Sequence, residues 1–168
     1  MVKVVLGGID TVSEWSGKIF SMIILIITGL LMFEITMRYI FNAPTIWAHE
    51  TCQHLFAGYS ILAGAYVLLY YAHVKVDVVY ARFSPRRRAI IDSVTYLFFF
   101  IFVGLMLWHG IGMAAHSVRL NEVSFSPFAP PIWPLKLTIP IGAFLILLQG
   151  LAHFTRVLSM AVTGKELA

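Results

Sequence analysis

The sequence predicts an all-α integral membrane protein with four transmembrane helices, N- and C-termini cytoplasmic, and short interfacial amphipathic helices. Three observations predict it. Of 168 residues, 60% are hydrophobic and 12% charged, against roughly 45–50% and 25% in a soluble domain. The apolar residues fall into four blocks, each about as long as a helix needs to cross roughly 30 Å of hydrocarbon. Runs such as residues 96–107 do not alternate in polarity, which excludes membrane strands of about ten alternating residues and leaves helices. The polar connections are too short to fold separately, so a single four-helix membrane domain over residues 1–168 is expected.

The first apolar block, 19–39, predicts a helix over 17–41. It is longer than a secretory-signal core of about 7–15 residues and is followed by Glu34 and Arg38 rather than a cleavage site, so it reads as a retained helix. Asn42 and Pro44 make a turn, and the second block predicts a helix over 48–72. On it, Ala57, Ser60 and Gly64 share a face that would let another helix approach closely. Cys52 is the only cysteine and makes no internal disulfide. Ser84 and Pro85 form a cap and first helical residue ahead of a helix over 87–116, and the fourth helix covers 132–161.

Two stretches have the spacing of helices lying on the membrane surface. Over 3–16, Val5, Ile9 and Val12 recur at helical spacing while Asp10 and Glu14 lie elsewhere, with Trp15 as a headgroup anchor. Over 74–84, Val76, Val79, Tyr80 and Phe83 share a face, with Lys75 and Arg82 off it. Orientation follows from the basic residues. Lys3, Lys18, Lys75, Arg82, Arg86, Arg87, Arg88, Arg156 and Lys165 fall on one side and Arg38, Arg119 and Lys136 on the other, so both termini are expected in the cytoplasm. The net charge of +4 then forms a collar facing anionic lipid headgroups, not a nucleic-acid surface.

Ionisable residues at membrane depth need partners. Glu34 and Arg38 are four apart, on one helical face and in the favourable order for pairing. With Trp47 and Glu50 they mark a candidate contact region for another subunit or for lipid headgroups. The connection after the third helix is rich in proline yet carries Phe125, Phe128 and Trp133 beside Arg119 and Glu122, a composition suited to docking an external protein at headgroup level.

His49 and His54 are five apart, about 140° around a helix, and do not form the i,i+4 pair of a zinc protease. No metal site, nucleophile elbow or phosphate-binding loop is found, so neither an enzyme nor a cofactor is expected. One alternative stays open: His54 and His109 lie at matched depth on the second and third helices, as bis-histidine haem ligation in a respiratory membrane anchor would need.

The segment from Glu34 through Arg38, Asn42, Pro44 and Trp47 to Glu50, with His73-Val-Lys-Val-Asp77-Val-Val-Tyr80 leading to Ser84-Pro85-Arg86, resembles the small membrane subunit of tripartite ATP-independent periplasmic (TRAP) transporters, the DctQ-like family. The resemblance implies a multi-pass protein of the bacterial inner membrane. Its implied partners are a periplasmic substrate-binding protein and a large membrane subunit that moves an organic acid by a sodium-coupled elevator motion. In that arrangement the transport sites belong to the large subunit and this chain is a scaffold beside it. Carried onto this sequence, the resemblance favours Glu34, Arg38, Trp47 and Glu50 as the subunit and lipid contact region.

Overall fold

A computed structural model describes residues 2–70 and 85–163, with the side chains of 2–4, 85–90, 161 and 163 left out. The expected surface segment 74–84, and with it the His73–Tyr80 motif, lies outside the described residues. Among the described residues five helices form: α1 (Val2–Tyr39), α2 (Ala48–Leu62), α3 (Gly64–Leu69), α4 (Pro85–Arg119) and α5 (Trp133–Thr163). Among them, four spans are long and apolar enough to cross a membrane: Val5–Tyr39, Ala48–Leu69, Ile91–Arg119 and Trp133–Met160. Among the described residues there is no strand, only an isolated bridge between Val123 and Pro131.

α1 is 38 residues long, about 57 Å at about 1.5 Å per residue. The stretch 3–16 is therefore continuous with the first span, because no proline interrupts it. The helix stops where Asn42 takes a left-handed φ of 51°, a conformation asparagine tolerates, and Pro44 follows. α2 and α3 form one span with a small bend at Ala63, where ψ is −13°. Helical bonding continues across it, from the Ala63 N–H to the Tyr59 carbonyl and from the Val67 N–H to the Ala63 carbonyl. α5 contains Pro140, which cannot donate to the Lys136 carbonyl one turn earlier.

α5 is the hub: it packs most extensively on α4 and also against α1, α2 and α3. Small residues set the close approaches. A Cβ on Gly58 would meet Thr138, one on Gly142 would meet the Ile61 backbone, and one on Gly64 would meet Ile146. The rising numbers on both helices show that α2 and α5 run parallel, and close contact of this kind is how helices pack where lipid supplies no hydrophobic drive. The small-residue face is thus shifted from the one the spacing suggested: Gly58 is buried, whereas Ser60 is exposed and bonds its own helix at the Phe56 carbonyl. Tyr66 covers Gly17 of α1, and Phe99 covers Gly150 of α5. Tyr96, Phe99 and Phe100 of α4 cluster with Phe154 of α5 at centroid separations of 5.5–6.1 Å.

Candidate subunit and lipid interface

Both described loops lie at one end of the bundle, and each is tied down by a carboxylate. Glu34, 6% exposed, is fully engaged. Its Oε1 accepts from Arg38 Nη2 at 2.5 Å and Nε at 3.1 Å, and its Oε2 accepts from the Thr45 N–H at 3.2 Å and from the Thr45 hydroxyl. The pair expected from i,i+4 spacing therefore also anchors the loop between α1 and α2. Arg38 remains half exposed, with 48% of its side chain accessible. Trp47 leans on Phe33 with ring centroids 5.9 Å apart. Glu50, in the first turn of α2, accepts from the Ser126 hydroxyl at 2.5 Å and so ties α2 to the second loop.

That second loop, residues 120–132, is built by backbone bonds from the Ser124 N–H to the Pro130 carbonyl and from the Ile132 N–H to the Glu122 carbonyl, both 2.9 Å. Lys136 closes it with an ion pair to Glu122 at 2.5 Å. Phe125 stands fully exposed at its tip, Phe128 and Arg119 are exposed, and Trp133 is half-buried at the start of α5. Of the residues expected to face a binding protein, Glu122 is thus spent inside the chain, while Phe125, Phe128 and Arg119 project from it.

The hydrogen bond from Lys136 lowers the Glu122 carboxyl below its ordinary glutamate value of 4.5, helped by Ser117. A carboxyl depressed on folding contributes stability above its unfolded value and loses it as pH falls through the folded one. Exchange of the Ser124 and Ile132 amides, corrected for intrinsic rates, is expected to be flat from about pH 7 to pH 5 and to rise in stronger acid. Glu122→Gln should raise it at neutral pH and reduce the acid dependence, leaving the part that comes from Glu50, which holds the same loop through the Ser126 hydroxyl. Ala129 in the same loop has φ 49°, a left-handed conformation that costs a residue with a Cβ about 1–2 kcal/mol. Ala129→Gly, after its own entropic cost, should stabilise the loop by about 0.5–1 kcal/mol, measured as reduced amide exchange.

The opposite end holds a polar cluster that sequence reasoning missed. Gln149 of α5, fully buried, donates through Nε2 to Asp10 at 3.0 Å and accepts from the Ser13 hydroxyl at 2.7 Å. Arg156 binds the same Asp10 carboxylate through both terminal nitrogens, and His153 is buried beside them at 1% exposure. The available signal was Gln149, an amide alone in the apolar run 141–151, which at that depth needs a partner from another helix. Along α1, Asp10 and Glu34 are separated by about 36 Å. The two polar belts therefore bracket the chain at about the hydrocarbon thickness plus interfaces.

His54 and His109 are not brought together as a ligand pair. They line separate recesses, His54 with Tyr59 and Thr138, His109 with Met106 and Ile139. α5 is the helix that packs against both α2 and α4. No group of three metal-binding side chains occurs among the described residues. The haem-anchor reading thus finds no support.

Four apolar spans among the described residues, ionic belts at their two ends and polar side chains used to join helices define a helical membrane protein. The chain belongs to the DctQ family: residues 27–160 match the model for the DctQ component of tripartite ATP-independent periplasmic transporters. A comparison with curated proteins gave no match.

Proposed function

We propose that this chain is the small permease subunit that acts as scaffold for a large elevator subunit, in sodium-coupled, binding-protein-dependent uptake of an organic acid across a bacterial inner membrane. The observation that carries the reading is the family match over residues 27–160. The structure supports it physically. Polar groups at depth are used to fasten helices to one another, while α1 and α4 expose broad apolar faces, including Met22, Leu25, Phe98 and Phe102, that suit burial against lipid or a second membrane protein.

In this reading both termini are cytoplasmic and the loop end faces the periplasm. The half-exposed Arg38, with Trp47 beside it and Glu34 and Glu50 holding the loops, contacts the large subunit and lipid headgroups. Arg119, Phe125, Phe128 and Trp133 offer a surface to the binding protein. Arg119→Glu is expected to lower binding-protein-dependent uptake while leaving the membrane complex intact, measured with labelled substrate in whole cells; unaltered uptake would remove docking from that surface.

Affinity purification of the tagged chain in mild detergent, with mass spectrometry and an absorbance spectrum on the same sample, tests the assignment. A colourless sample containing a large polytopic membrane protein is expected. A coloured sample carrying iron–sulfur or flavin subunits would overturn it.

A further inference from the structure

The loop between α4 and α5 holds one residue against its own preference. Ala129 takes a φ of 49°, where its Cβ crowds the following carbonyl, and Pro130 behind it favours an extended backbone at Ala129. Both local effects push away from the observed conformation, so a tertiary contact must hold it. The holder is Ser126. Its hydroxyl oxygen accepts from the Ala129 N–H at 3.1 Å, and the same N–H reaches the Ser126 carbonyl, also at 3.1 Å. The Ser126 hydroxyl in turn donates to Glu50 of α2 at 2.5 Å. One hydroxyl can donate to a carboxylate and accept from an amide at once, and the two bonds polarise each other favourably.

The relay runs between the two projecting aromatic side chains of the loop. Phe125 immediately precedes Ser126, Phe128 immediately precedes Ala129, and both rings are exposed. The bond from the Ser124 N–H to the Pro130 carbonyl closes the backbone around them. Glu50, Ser126 and Ala129 therefore fix where the two rings stand. An aromatic belt needs only the depth of the headgroups and no fixed orientation. A protein partner benefits from a fixed one, because side chains ordered beforehand need not be ordered on binding.

We propose that Glu50 and Ser126 are positioning residues for docking of the periplasmic binding protein: their relay holds Ala129 left-handed and so presents Phe125 and Phe128 in one geometry. This rests on the reading above in which the loop faces the binding protein. Without the Ser126 hydroxyl, Ala129 relaxes toward extended backbone and the rings leave their places. Glycine at position 129 adopts the left-handed conformation without being held.

The test titrates the purified membrane complex, in lipid nanodiscs, with the fluorescently labelled binding protein. Ser126→Ala should raise the half-saturating concentration several-fold, and Ser126→Thr, which keeps the hydroxyl, should bind as wild type does. Ser126→Ala combined with Ala129→Gly should recover most of the loss, a rescue that general damage to the loop would not show. Phe125→Ala should weaken docking at least as much as Ser126→Ala. Ala129→Gly alone, which removes strain but no bond, should bind at least as tightly as wild type. Wild-type binding by Ser126→Ala or Phe125→Ala would overturn the inference, as would weaker binding by Ala129→Gly or a double variant no tighter than Ser126→Ala. Each of these leaves the scaffold reading standing. If the wild-type complex takes up no binding protein, the docking reading itself falls, and this one with it.

Discussion

Gly142→Leu is expected to prevent the native bundle from forming, the largest single-site effect in the chain. The added Cβ alone would stand 2.5 Å from the Ile61 Cγ2, 2.8 Å from its carbonyl oxygen and 3.1 Å from its carbonyl carbon. Two of these are backbone atoms in a bonded helix and have no rotamer to move into. α2 and α5 must separate, and their separation opens the neighbouring contacts of Gly58 with Thr138 and of Gly64 with Ile146. Overpacking of this kind costs about 1–3 kcal/mol even when small, so Gly142→Ala should lower thermal stability in detergent and Gly142→Leu should leave little monodisperse protein. Gly112→Leu, into open space, is the control. Equal stability of Gly142→Leu and wild type would show that the α2–α5 approach is wrong.

Arg38→Ala is expected to cause the second large loss, this time in transport. It strips both guanidinium bonds from Glu34 and leaves a buried carboxylate served by Thr45 alone. A charge left at membrane depth without its counter-ion is costlier than the absence of both. The double variant Glu34→Gln with Arg38→Ala should therefore recover part of what Arg38→Ala alone loses, because a neutral amide can still bond Thr45. The cycle over the two single variants and the double variant isolates the pair. Uptake several-fold below wild type for Arg38→Ala, with partial recovery in the double variant, is the expected pattern. Unchanged uptake in Arg38→Ala, with the complex intact, would remove the pair from the working interface.

The spans and the Glu34–Arg38 pair were legible in the sequence because each is local. Hydropathy over some twenty residues and an i,i+4 spacing require no knowledge of which helix lies beside which. What escaped depends on pairing between distant segments. Asp10 read as the polar side of a surface helix because a 3.6-residue period looks the same whether the polar face meets water or Arg156 and Gln149 of α5. Thr45 and Ser126 are loop residues whose hydroxyls matter only once the loops fold back on Glu34 and Glu50. The small-residue face slid from Ser60 to Gly58 for the same reason: the composition of α2 marks a close approach, but only Thr138, Gly142 and Ile146 of α5 fix where it falls. His54 and His109 were read as lying at matched depth, yet only the packing of α5 against both α2 and α4 shows that they line separate recesses.

The scaffold account makes one demand that no substitution tests as directly as removal of the chain. With the large subunit and binding protein retained in the same cells, deleting this chain should abolish binding-protein-dependent uptake although the large subunit is still inserted, and re-expression should restore it. Uptake that persists at the wild-type rate without the chain would contradict the account.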